Sequence, residues 1–292
     1  MRVRAMGFYR IAVLSICMWS SQAQAVVFFD DSFDGSTTEA GGWRYAAGTC
    51  YWQTTTRIVP CPYLDLSTDV AHNGAKSLKG TYNAAWSDPN PQINEQAISR
   101  TIPVTTNIYT RYFYRTTGFT YTQVTGTKHI YYKSDSPYYP NFFSMNWWGS
   151  RELGFGGQNI AEICPTSGKG PYESCNFYPN MASRPLADNV WYCIEEHINL
   201  GTPNGNNGSL EIWVDGTQTL GYYNQNFLGG QVSGPNGNSS LTYFDFLQIY
   251  KQNGDGLMYY DQFAAGNSRI GCGGSTTTDQ TPPNPPVGLV VR

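Results

Sequence analysis

The run Gly208-Ser209-Leu210-Glu211-Ile212-Trp213-Val214-Asp215-Gly216 alternates with a period of two and ends on a turn signature. Leu210, Ile212 and Val214 share one side, and Glu211, Trp213 and Asp215 share the other, as in a strand with one face buried. The Asp-Gly pair that follows reads as a tight hairpin turn, because such turns need positive φ. Just upstream, 191–200 alternates too. Tyr192, Ile194, Glu196, Ile198 and Leu200 form one row, and Trp191, Cys193, Glu195, His197 and Asn199 the other. The row carrying Trp, Glu, His and Asn suits the lining of a sugar groove. A solvated sheet face with one disulfide accounts for it equally well.

Further strand signals lie at 26–29, 76–82, 109–116, 128–133, 142–148, 242–251 and 257–263. Clusters of Gly, Asn, Pro and Ser separate them, as at 201–208, 229–240 and 253–256. No long run has apolar residues at helical spacing, and no repeat has a fixed period. Charged residues make up 13% of the chain, about half of the usual 25%, which disfavours a helical bundle with its Glu and Lys surface. A hydrophobic share of 40% is too ordinary for a multi-span membrane protein and too high for wholesale disorder. With 22 Tyr, 31 Gly and 17 Pro, the composition predicts an all-β protein, an antiparallel sandwich.

The chain begins with Arg2, Arg4 and Arg10, an apolar run from Ile11 to Trp19, and Ala23-Gln24-Ala25. That order reads as a secretory signal peptide over 1–25, with Val26 as the first mature residue. The apolar run is shorter than the roughly 20 residues that span a bilayer, so an exported protein without a transmembrane segment is expected. Of the 18 basic residues, the three arginines leave with the signal, so 15 face 21 acidic ones. An acidic chain is a poor nucleic-acid partner. After Cys272, residues 273–292 turn to Gly, Ser, Thr and Pro and read as a linker and tail. One domain over 26–272, expected to be monomeric, remains.

Six cysteines stay in the mature chain, Cys50, Cys61, Cys164, Cys175, Cys193 and Cys272, and an even number in an exported protein reads as disulfides. Cys50 and Cys61 share a separation of 11 residues with Cys164 and Cys175. Two local staples would leave Cys193 to meet Cys272. Zinc is the rival, but no CxxC or HxxxH spacing supports it.

Several segments together resemble the concanavalin A-like lectin/glucanase jelly rolls, in particular secreted bacterial polysaccharide lyases. They are Phe28-Phe29-Asp30-Asp31-Ser32-Phe33-Asp34 with Gly41-Gly42-Trp43, then Asn73-Gly74-Ala75-Lys76-Ser77-Leu78. To these add Trp191 with the 207–216 hairpin, and Tyr259-Tyr260-Asp261-Gln262-Phe263. The last resembles the closing strand that pairs beside the first. The resemblance implies a disulfide-stapled jelly roll acting on a glycan.

The related glucanases carry their carboxyl pair on one strand as Glu-x-Asp-x-x-Glu, and nothing here matches. Glu195 and Glu196 are adjacent and so point to opposite faces, while Glu152 stands alone. A retaining glycosidase of that kind is disfavoured. Uronate lyases need a base for the proton α to the carboxyl group, an acid for the leaving oxygen, and cations or amides at the carboxylate. Thr127-Lys128-His129-Ile130-Tyr131-Tyr132-Lys133 resembles the Gln-Ile-His strand of alginate-type lyases, without its glutamine. Ser150-Arg151-Glu152-Leu153 is similar to their Arg-containing motif, with Gly154 in place of the final Arg. Phe246-Leu247-Gln248-Ile249-Tyr250-Lys251-Gln252 loosely resembles their closing motif.

The resemblance therefore implies β-elimination, with His129 as base or carboxylate neutraliser, Tyr131 or Tyr250 as acid, and Arg151 beside them. Arg111, Arg115, Lys133, Trp148, Glu195, His197 and Trp213 are the expected substrate contacts. It also implies one structural calcium, held by Asp30, Asp31 and Asp261 if the terminal strands adjoin. Acidic strand ends without metal are the plainer reading. The alternative function is a non-catalytic carbohydrate-binding module, with Trp147-Trp148, Tyr138-Tyr139 and Trp213 as stacking platforms. A purely structural envelope protein is a third.

Overall fold

The computed structural model describes residues 25–45, 63–83, 96–120, 127–134, 141–146, 151–158, 174–181, 184–228, 241–251 and 254–273. They form fifteen strands and one short 3₁₀ turn at Glu39–Gly41. The strands are β1 (Val27–Asp31), β2 (Arg44–Tyr45), β3 (Leu64–Ser67), β4 (Ser77–Tyr82), β5 (Gln96–Thr105), β6 (Asn107–Thr120), β7 (Thr127–Lys133) and β8 (Asn141–Asn146). β9 (Leu153–Gln158), β10 (Ser174–Met181), β11 (Tyr192–Asn199), β12 (Gly208–Val214), β13 (Thr217–Gln225), β14 (Phe244–Lys251) and β15 (Asp255–Gly266) follow.

Two antiparallel sheets result. One runs β13-β12-β11-β6-β15-β4-β3, with β1 also paired to β15; the other runs β10-β9-β8-β7-β14-β5-β2. The architecture is a two-sheet antiparallel β-sandwich of the jelly-roll kind. Asp215 and Gly216, with φ of 50° and 78°, make the expected turn between β12 and β13. β1 lies beside β15 with Phe29 opposite Ala265 and Asp31 opposite Phe263, so the first and closing strands are neighbours.

The core lies between the sheets and follows the alternation of their strands. Ile194 and Ile198 of β11, Leu210, Ile212 and Val214 of β12, and Leu247 and Ile249 of β14 all point into it. Burying each such side chain contributes roughly 1.5–3 kcal/mol. The N-terminal motif is an aromatic clasp. Fully buried Trp43 meets Phe29, Phe33 and Phe263 at ring distances of 5.4–5.9 Å. Its indole N–H donates to Asp31 Oδ2 at 2.7 Å. The guanidinium of Arg100 lies 4.0 Å from the Phe29 ring centre and 3.6 Å from Asp31.

Cys193 and Cys272 form a disulfide, tying β11 to the segment after β15. The expected staples fall outside what is described: Cys50, Cys61 and Cys164 are not among the described residues, and Cys175 is placed only as part of β10. Among the described residues, no helix is long and apolar enough to cross a membrane.

Candidate functional site

The sequence placed His129, two tyrosines and several cations in one groove. The structure distributes them over three layers: the sandwich core and the outer faces of the two sheets.

His129 is in the core. Plain alternation would align it with Tyr131 and Lys133, but the register breaks just before them. Lys128 and Ile130 of β7 oppose the consecutive residues Met145 and Ser144 of β8, so His129 is the extra residue of a bulge. A bulge reverses the parity of everything before it. The imidazole therefore turns inward, fully buried, with ring centres of Tyr114, Tyr112 and Tyr260 at 5.4, 6.1 and 6.1 Å. Burial lowers its pKa to about 3. A neutral ring sealed between two sheets cannot serve as a groove base, which corrects the expectation for this residue.

It belongs instead to a buried polar network centred on Glu196. Tyr112 donates to Glu196 Oε1 at 2.9 Å, Tyr132 donates to Oε2, and Ser144 donates to the same carboxyl group. Ser144 Oγ lies 3.3 Å from His129 Nε2, which fixes the proton on that nitrogen and leaves Nδ1 with no partner. Burial outweighs the three donors and pushes the Glu196 pKa up to about 7.

The outer face of the eight-stranded sheet holds most of the expected substrate contacts, but they are occupied. Register sets Arg111, Glu195 and Trp213 side by side across β6, β11 and β12. Glu195 is fully buried by the segment after β15. It accepts from Arg269 Nε at 2.7 Å and from the amides of Ile270 and Gly271 at 2.6 and 2.9 Å. The Arg269 guanidinium also lies 4.7 Å from the Trp213 ring. His197 is held between Glu211 Oε2 at 2.5 Å and Asn107 Oδ1 at 2.7 Å, stacked on Tyr109. Glu195 and Trp213 thus anchor the segment after β15, while His197 is engaged by residues of its own sheet. Arg111 donates to Asp30, Arg115 to Asn189, and Arg151 to Asp188 and the Phe119 carbonyl. Trp148 lies outside the described residues.

The three aspartates do not form a cation cage. Asp30 and Asp31 are successive strand residues and point to opposite faces, one to Arg111 and the other to the Trp43 indole and the Phe33 amide. Asp261 accepts the amides of His72, Asn73 and Gln262. N–H donors fill the places that a calcium ion would need. Among the described residues, no group of three His, Cys, Asp or Glu side chains could hold a metal. The residues expected to bind calcium do not fit it.

The outer face of the seven-stranded sheet is different. Leu247 and Ile249 turn inward from β14, so Phe246, Gln248 and Tyr250 turn out. Gln248 sits between Tyr131 of β7 and Ser99 of β5, and Phe246 sits beside Lys133. The Tyr131 and Tyr250 rings meet edge to face at 5.0 Å. Lys133 Nζ donates to Gln248 Oε1 at 2.8 Å and lies 4.8 Å from the Tyr131 ring centre and 5.9 Å from that of Phe246. Among the described residues Lys133 makes no ion pair. Burial, aided by the charge of Lys128, lowers its pKa to about 8. Here a partly exposed cation is held by an amide and two rings, with no carboxylate of the described residues paired to it.

Gln248, Ser99 and Phe246 were not among the expected site residues. The alternation of 246, 248 and 250 could have revealed their shared face, but their link to Lys133 crosses three strands.

No family model matches the chain, and no curated protein matches it. Solved structures do resemble it. "Cellulose induced protein, Cip1" has 16% identity and a TM-score of 0.50, over 84% of this chain and 100% of that one. An alginate lyase from Aplysia kurodai has 11% identity and a TM-score of 0.47, over 70% and 86%. An endo-β-1,4-glucuronan lyase from the fungus Trichoderma reesei has 11% identity and a TM-score of 0.47, over 77% and 94%. At such identities the likeness is one of fold.

Proposed function

We propose that this protein acts on an anionic polysaccharide, bound across the outer face of the seven-stranded sheet and cleaved by β-elimination. The observation that carries the reading is Lys133. A buried or half-buried cation is normally paired, and among the described residues this one has only a neutral hydrogen-bond acceptor and the π faces of two rings. An anionic group supplied from outside completes the site, and a uronate carboxylate fits it.

The chemistry follows from what surrounds that cation. Lys133 neutralises the sugar carboxylate, which makes the adjacent C5 proton more acidic. That proton passes to a base, the C5–H electron pair becomes the C4=C5 double bond, and the C4–O bond breaks with its electrons. A proton donor then serves the departing oxygen. Tyr131 and Tyr250 are the phenols on this face for the two proton transfers, with Tyr250 as the acid. None of the three histidines, His72, His129 and His197, points from this face.

That absence favours a second reading, binding of the same polymer without turnover. Incubation with a panel of uronate polysaccharides separates the two, read as ultraviolet absorbance of the new double bond. A rise on at least one polymer, lost in Tyr250→Phe, is expected. No rise on any polymer that the folded protein demonstrably binds would leave the binding module.

A further inference from the structure

Gln248 is 4% exposed and its amide has only one workable orientation. Lys133 can only donate, so Oε1 is turned toward its Nζ, 2.8 Å away, and Nε2 donates on the far side to Ser99 Oγ at 3.2 Å. Three strands are needed for this line: Ser99 on β5, Gln248 on β14 and Lys133 on β7. An ammonium has three N–H directions. One is taken by Gln248, the rings of Tyr131 and Phe246 flank the group, and a direction remains for a ligand.

We infer that Gln248 is a positioning residue that holds the Lys133 ammonium in place while leaving its charge uncompensated, so that the face selects anionic over neutral glycan chains. The proposal rests on the function read above. Its physical content is the difference between an amide and a carboxylate of the same size. A glutamate here would accept the same hydrogen bond, but as a salt bridge it would neutralise the site from within. Glutamine gives orientation without neutralisation. Ser99 matters because it accepts from the far end of the amide, so that the Gln248 side chain is held at both ends and its oxygen stays beside Lys133.

The test uses the full chain with Gln248→Glu, Gln248→Ala and Ser99→Ala, each checked for folding by its near-ultraviolet circular dichroism. The first readout needs no glycan: the titration of Lys133, followed as the pH dependence of its reaction with an amine-selective reagent and located by peptide mapping. Gln248→Glu should raise the midpoint by about one to three pH units, as an adjacent opposite charge does. Gln248→Ala should lower it. The second readout is retention on immobilised polyuronate and on a neutral glucan. Gln248→Glu should lose about tenfold or more in polyuronate affinity, and Ser99→Ala should lose part of it. A Lys133 midpoint unmoved by both Gln248 variants would overturn the positioning role, whatever the glycan result. A midpoint that moves as expected, in a protein that retains no polyuronate even as wild type, would uphold the positioning role and count against the proposed function.

Discussion

His129 and Tyr131 stand two residues apart on β7, yet they point to opposite sides of its sheet. His129 meets Tyr112, Tyr114 and Tyr260 in the core, while Tyr131 meets Tyr250 on the outer face. The bulge at His129 divides the two roles. One residue contributes to a buried network, and the other to the outer face of the seven-stranded sheet.

His129→Phe should therefore keep glycan binding and any turnover. It preserves a ring in the aromatic cage, removes the unpartnered Nδ1, and gives up the Ser144 bond. Leaving an acceptor buried costs about 1–3 kcal/mol, so the net stability change should be within about 2 kcal/mol. Urea unfolding and the absorbance assay check this together. Loss of activity with unchanged stability would return His129 to the site.

The core network also predicts an unusual pH response. Glu196 titrates near 4.5 when unfolded and about 7 when folded, so its contribution is full below pH 4.5 and is lost as pH rises toward 7. His129 does the reverse: its folded value of about 3 lies below 6.5, so stability is lost as pH falls from 6.5 toward 3. Between about pH 4.5 and 6.5 folded and unfolded chains bind the same number of protons at these two groups, and their slopes cancel. Glu196→Gln should uncover the histidine slope, with stability rising with pH by about 1.4 kcal/mol per unit across that window. Urea midpoints at several pH values measure it, and an unchanged profile in the variant would contradict the assignment.

The segment after β15 is held by Glu195 as well as by the disulfide. Removing a buried, hydrogen-bonded charge typically costs about 3–5 kcal/mol. Glu195→Ala should lower the urea midpoint accordingly, because Arg269 and two amides lose their acceptor. At pH and temperature where the variant remains folded, polyuronate binding should persist, since Glu195 lies on the opposite sheet. Binding lost in a fully folded variant would place the glycan on that sheet instead.

Donor hydrogens surround Asp30, Asp31 and Asp261, and this arrangement predicts indifference to calcium. The melting temperature should be the same in excess chelator and in millimolar calcium. A clear rise with calcium would mean that the aspartates rearrange around an ion.

How much was legible varied with the range of the interactions. The alternation at Leu210, Ile212 and Val214, and the Asp215-Gly216 turn, are local properties, and the hairpin formed as expected. The first and closing strands were recognisable from their aromatic and acidic pattern. β5 was missed, because Pro103 and a mixed polar composition hide its alternation. The bulge could not be read, since nothing in Lys128-His129-Ile130 marks an extra residue until β8 is laid beside it. Glu195 looked like groove lining because its true partners, Arg269, Ile270 and Gly271, lie more than seventy residues away. The cation site was half visible: Lys133, Tyr131 and Tyr250 were expected, and Gln248 was quoted without a role.

The central claim is that the glycan is held by the Lys133 face and not by the row of Arg111, Glu195 and Trp213. It is tested most directly by affinity electrophoresis through immobilised polyuronate, comparing wild type with Lys133→Gln and Trp213→Phe. The account predicts that Lys133→Gln migrates as if the polymer were absent, a loss of about tenfold or more in affinity, while Trp213→Phe is retarded like wild type. Retardation kept by Lys133→Gln and lost by Trp213→Phe would contradict it.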